Sequence, residues 1–167
     1  MLDGNAPIQP PAIRLRPVVA TDLPALFEIQ LEPEGNDMAG TKPRTREAFF
    51  AAWESHLVNP EINGRVIELG GGHGAEIAGS ISRFQADGHD AVGYWIARQH
   101  WGKGIASRAL AMFLTEEPRR PLHATAATSN AVSRRILEKC GFRCTGVRMG
   151  EETERFLARE IADYLLQ

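Results

Sequence analysis

The sequence predicts an α/β (α+β) fold: a mixed, mostly antiparallel sheet of about six to seven strands covered by about four helices. Three observations carry this. Apolar segments of strand length recur between glycine-bearing turns, the mark of antiparallel hairpins. In the middle, one strand feeds a glycine loop, a helix and a further strand, which brings two strands parallel. The composition, 167 residues with 43% hydrophobic and 24% charged, suits one packed domain. Residues 1–12 read as a flexible lead-in and 13–167 as the domain.

The elements follow in order. Three prolines and a glycine loosen residues 1–11. Ile13, Leu15 and Val18 mark a first strand, with Arg14 and Arg16 turned outward. Thr21 or Asp22 is placed to accept the first free amides of a helix carrying Pro24 in its first turn and Leu23, Leu26 and Phe27 at helical spacing. Residues 32–42 hold Pro33, Gly35 and Gly40 without a period and read as a loop. Thr45 caps a second helix whose apolar face is Phe49, Ala52, Trp53 and Leu57, ended near Asn59-Pro60. Residues 65–69 and 76–84 form a hairpin across Gly70-Gly71-Gly72-His73-Gly74, with His73 at the loop tip. After a turn at 86–88 comes a strand at 91–97, then Gln99-His100-Trp101-Gly102-Lys103-Gly104. The next helix has Ile105, Ala109, Leu110 and Phe113 on one face and stops before Pro118. A strand at 122–127 leads to a helix begun by Asn130, with Val132, Ile136, Leu137 and Cys140 inward and Gly141 as its left-handed cap. Strands at 142–148 and 159–166 close the chain. The last, with Tyr164-Leu165-Leu166, offers an edge through which two copies could pair as a homodimer.

Several function classes fall away. The balance of 19 Lys+Arg against 21 Asp+Glu leaves a net charge of −2, which argues against nucleic acid, since phosphate-backbone binding needs a concentrated positive face. No apolar run approaches the ~20 residues of a membrane span. The start, Met-Leu-Asp-Gly-Asn-Ala-Pro, carries neither the basic residues nor the apolar stretch of a secretory signal, so a cytoplasmic location is expected. Cys140 and Cys144 are too few for a disulfide framework and lack the histidines of a zinc pattern.

The glycine loop is the segment with chemical meaning. Glycines permit positive φ and remove the Cβ, so several backbone N–H groups can turn toward one point in front of a helix N-terminus. That is a pocket for phosphate or pyrophosphate, and equally a tight turn with close strand–helix packing. The Walker pattern does not fit, because Lys103 lies between the glycines. The dinucleotide fingerprint does not fit either, because the third glycine position is Ser107.

A second segment, Asn130-Ala-Val-Ser133-Arg-Arg-Ile-Leu-Glu138-Lys139-Cys140-Gly141-Phe142, follows about 25 residues after the loop. Together with the block from Tyr94 to Leu110, it resembles the GCN5-related N-acetyltransferase (GNAT) superfamily. Within that superfamily it is most similar to the ribosomal-protein N-terminal acetyltransferase branch, the RimJ/RimL-like proteins. The order of elements fits from about Ile13 onward, less closely over the first 60 residues. The resemblance implies an acyl-CoA N-acyltransferase fold, splayed at its central strands, with pantetheine paired to backbone in the splay. It implies contacts of acetyl-CoA with Ile96, Ala97, Gln99, Trp101, Gly102, Lys103, Gly104, Ile105, Ala106 and Asn130. No metal is required.

The reaction implied is direct attack of an amine on the thioester in a ternary complex. It needs a neutral amine, a stabilised oxyanion and a proton for the thiolate. The oxyanion would meet a backbone N–H near Trp95 or Ile96. The tyrosine that many members carry in the last helix is replaced by Leu137, and Ser133 stands one turn earlier as the candidate donor to sulfur. Ser133 has an alternative role, bonding back to its own helix. Among possible bases, Glu34 ranks ahead of Glu32, Asp37, His89 and Asp90, while Tyr94 or Trp95 would wall the slot. The three carboxylates of residues 32–42 suit a cationic acceptor, whether a peptide N-terminus or a small amine. Two other readings stay open: a catalytically idle acyl-CoA-binding module, and a phosphate-loop protein preferring ATP.

Overall fold

Seven strands form one sheet in the order β1-β2-β3-β4-β5-β7-β6, in a computed structural model that describes residues 10–71 and 74–167. They are β1 (Ile13–Pro17), β2 (Asn63–Leu69), β3 (Glu76–Ala86), β4 (His89–Ile96), β5 (Leu122–Ala127), β6 (Arg143–Met149) and β7 (Glu160–Leu166). The helices are α1 (Leu23–Gln30), α2 (Pro33–Ala39), α3 (Arg46–Val58), α4 (Ile105–Glu116) and α5 (Ala131–Lys139). His73 and the first nine residues of the lead-in lie outside the described residues.

Every neighbouring pair is antiparallel except β4 and β5, which run parallel and meet at a single bridge, Ala91 to His123. Beyond that bridge the two strands part. The left half of the sheet is zipped by antiparallel ladders, with Ile13 opposite Leu69 and Gly79 opposite Ile96. The right half is zipped by β5–β7 and β6–β7, the latter with a bulge between Cys144 and Gly146. The final strand is therefore interior, flanked on both sides, and β6 is the edge. The pairing edge expected at Tyr164-Leu165-Leu166 does not exist, because β7 returns between β5 and β6 and Tyr164 is buried.

Helices cover both faces. Ile105, Ala109, Leu110 and Phe113 of α4, with Leu137 of α5, close the larger core against Leu15, Ile67, Ile81 and Leu122. Leu23, Leu26 and Phe27 of α1, with Phe49 and Trp53 of α3, close a second core on Val18 and Val66. Val66 and Ile67 are both fully buried yet belong to opposite cores, as successive residues of a strand covered on both sides must be.

Local chemistry explains the helix ends. Thr45 Oγ1 accepts from Ala48 N–H at 3.3 Å and starts α3. Asp22 precedes α1, but its side chain caps no amide of that helix. Its carboxylate accepts from the Arg16 guanidinium and from Val19 N–H, each at 2.8 Å, and Arg16 holds its pKa below the usual carboxylate value.

Residues 32–42 are not a loop: their centre is α2. The segment lacks an apolar period, so its helix depends on side chains. Glu32 accepts from Glu34 N–H at 3.2 Å, and Asn36 donates to the carbonyls of Gln30 and Glu32 at 2.8 and 2.9 Å. Val132, expected inward, is 54% exposed on α5. Leu137 alone of that face is fully covered.

Arg83 and Glu117 form an ion pair in the interior. Arg83 Nε lies 2.8 Å from Glu117 Oε2 with both residues nearly inaccessible, and Asn63 and the Arg119 amide add donors to the same carboxylate. Burial pushes the Glu117 pKa up, but these donors outweigh it and the net shift is downward.

Candidate active site

Where β4 and β5 part, a cavity of about 550 Å³ opens. Strand alternation gives it two sides. Tyr94 points to the α4/α5 face and Trp95 to the α1/α2 face, and both line the cavity. Gly102, Gly104, Ile105, Ala106 and Ser107 line it from the loop and the start of α4. Asn130, Ser133 and Leu137 line it from α5, and Gly35, Met38 and Ala39 from α2.

The loop is shaped by its glycines. Gly102 and Gly104 have φ of +73° and +72°, a region that L side chains avoid, and a Cβ at either would meet nothing within 4 Å. The left-handed backbone, not crowding, is what demands glycine there. Gly104 is the residue before α4 and has no side chain to cap it, so the first amides of an amphipathic twelve-residue helix face the cavity end.

The backbone of β4 is equally specific. Ala97 N–H donates to Ala78 O at 2.7 Å, toward β3. Ile96, one residue earlier, therefore turns its N–H and C=O the other way, into the gap. Its carbonyl accepts from Trp101 Nε1 at 2.9 Å, which fixes the indole beside the loop.

Ser133 Oγ lies 2.9 Å from the Tyr94 hydroxyl. Burial pushes the Tyr94 phenol up to about 12, against the opposing effect of its bond to Ser133. Asn130 Oδ1 accepts from Ser133 N–H at 3.1 Å, so Asn130 caps α5 while facing the cavity. Two hydroxyls thus stand together inside the gap, one from β4 and one from α5.

The other sequence candidates are distributed differently. Gln99 and Lys103 are exposed, and Ala97 is buried behind the strand; none of the three belongs to the lining. Glu34 also lies outside the lining, with its carboxylate 2.6 Å from Arg98 NH1. His89 and Asp90 sit at the closed end of the sheet, where His89 stacks on His123 and Asp90 faces Arg83 and Arg119. Sequence reasoning missed Met38, since α2 was not recognised. It also missed the Tyr94–Ser133 bond, which joins residues 39 apart.

A family model described as an acetyltransferase (GNAT) domain matches residues 12–143. Among solved structures, the chain is similar to a spermidine N-acetyltransferase from Vibrio cholerae in complex with CoA and spermine. The TM-score is 0.76 and the identity 18%, over 92% of this chain and 94% of that one. It is similar to RimL, a ribosomal L7/L12 alpha-N-protein acetyltransferase in complex with coenzyme A, at TM-score 0.73 and 17% identity, over 92% and 93% of the two chains. It is similar also to Mycobacterium smegmatis RimJ in complex with CoA-disulfide, at TM-score 0.70 and 25% identity, over 92% and 81%. No curated protein matches in sequence.

Proposed function

We propose, since the chain belongs to the acetyltransferase (GNAT) family, that it moves an acetyl group from acetyl-CoA to a primary amine by direct attack within a ternary complex. The observation that carries this reading is the cavity through the sheet, with a glycine loop at one end and paired hydroxyls inside. Donor pyrophosphate rests on the amides of residues 102–105 and the N-terminus of α4. The pantetheine arm follows the gap past Asn130, and the Ile96 N–H meets the developing oxyanion.

The amine nitrogen forms a bond to the acetyl carbon, and the carbon–sulfur bond breaks. The products are an acetamide and the coenzyme thiol. A thiolate near pKa ~8.5 leaves more readily when a hydroxyl donates to it. Ser133 supplies that hydroxyl. Tyr94 donates to Ser133 Oγ and so leaves the serine proton free to point at sulfur. This arrangement takes the place of the tyrosine missing at Leu137. Glu34 lies outside the cavity lining with its carboxylate on Arg98, so the amine's proton passes to water at the cavity mouth; Glu34→Gln then leaves turnover unchanged.

The test is release of free thiol from acetyl-CoA in the presence of an amine panel. Release that depends on a primary amine and falls in Ser133→Ala supports the enzyme. Tight acetyl-CoA binding without turnover on any acceptor identifies an idle acyl-CoA-binding module instead.

A further inference from the structure

The α2 side of the cavity carries information about the acceptor. Its walls are Met38 and Ala39 of α2, Trp95 of β4 and Trp101 after it. Both indoles are clamped by their N–H groups, Trp95 to Ile29 O at 3.1 Å and Trp101 to Ile96 O at 2.9 Å. Their polar edges are consumed; the Arg98 guanidinium lies over one face of Trp101, 5.7 Å from the ring centroid, and the remaining ring surface is fixed and apolar. Gly35 seats α2 on both rings: a Cβ there would come within 3.0 Å of Trp95 and 3.4 Å of Trp101.

The acidic residues of this segment do not serve the cavity. Arg98 NH1 lies 3.0 Å from Glu32 and 2.6 Å from Glu34, and Arg159 NH2 lies 2.9 Å from Asp37. Two guanidinium groups thus answer the three carboxylates that the sequence alone offered to a cationic acceptor. Among the described residues, no Asp, Glu, Lys or Arg lines the cavity.

We infer that the acceptor is a primary amine carried on an uncharged apolar or aromatic body, held between the Trp95 and Trp101 side and Met38, and not a polyamine. The inference rests on the acetyltransferase reading above and narrows its substrate. An apolar body gains by leaving water for such walls. A second or third ammonium entering the same space sheds water with no carboxylate in the lining to meet it.

The experiment compares kcat/KM, by thiol release from acetyl-CoA, for phenethylamine, a dipeptide amide with N-terminal phenylalanine, and spermidine. Either aromatic amine exceeds spermidine by about tenfold or more, the scale on which apolar contacts discriminate substrates. Which of the two is better distinguishes a free amine from a peptide N-terminus. Arg98→Gln releases Glu32 and Glu34 and raises kcat/KM for spermidine, which narrows the ratio of the aromatic amines to spermidine. Spermidine equal to or better than both aromatic amines in the native protein overturns the inference and leaves the acetyltransferase reading standing. An Arg98→Gln protein with unchanged use of spermidine overturns it too. No thiol from any amine, with acetyl-CoA binding retained in calorimetry, overturns both.

Discussion

Removing one oxygen atom tests the paired hydroxyls most directly. Tyr94→Phe keeps the ring, which packs against the larger core, and deletes only the group 2.9 Å from Ser133 Oγ. A neutral hydrogen bond of this kind contributes about 0.5–1.5 kcal/mol net. If that energy orients the serine toward sulfur only as the carbon–sulfur bond breaks, kcat falls by about two- to twelvefold. KM for acetyl-CoA is unaffected, because the phenol does not touch the donor in this scheme. Tyr94 acts through Ser133, so the double variant Tyr94→Phe/Ser133→Ala has the same kcat as Ser133→Ala alone. The phenol, held near 12, is protonated below that pH, so it contributes no loss of kcat through the neutral range and one only as pH approaches 12. Steady-state thiol release on the single and double variants, with a thermal melt to establish folding, measures all of this. An unchanged kcat in Tyr94→Phe, or losses that multiply in the double variant, refutes the linkage between the two hydroxyls.

Other perturbations probe the loop and the charges. Gly104→Val forces a side chain into φ +72° and costs about 1–2 kcal/mol in urea unfolding, with a parallel loss of coenzyme A affinity in calorimetry. Retained affinity argues against the loop as the pyrophosphate cradle. Asp22 and Glu117 are both more acidic folded than unfolded. The stability they lend is complete above an unfolded pKa of about 4 and is lost as pH falls through their folded values, so the urea midpoint drops between pH 5 and 2. Arg83→Ala strands Glu117 in the interior and costs about 3–5 kcal/mol by the same assay.

Legibility in the sequence followed locality. The glycine loop and the Asn130–Ser133 segment were readable because a few residues at fixed spacing set their geometry, and the structure places Gly102, Gly104, Asn130 and Ser133 on one cavity. Helix α2 was not readable, since its seven residues carry no stripe and depend on Asn36 reaching back to Gln30 and Glu32. Strand order was out of reach for a related reason. Nothing near residue 164 in the chain announces that β7 slips between β5 and β6. Charge pairing was out of reach as well. Nothing near Glu32, Glu34 and Asp37 in the chain announces that Arg98 and Arg159, the latter 122 residues from Asp37, stand beside them.

The lone Ala91–His123 bridge has a thermodynamic corollary. Across the middle of the sheet the main chain contributes almost no ladder, so two antiparallel halves are joined there chiefly through α4, α5 and the side chains beneath them. On the proposed reading, a thioester donor lying along that seam would act as a missing rung. Its binding free energy would add to the resistance of the whole molecule to unfolding, about 2.7 kcal/mol with the donor at a hundred times its Kd. The melting temperature would then follow the acetyl-CoA supply, and the opening that admits the substrate would set the protein's durability as well.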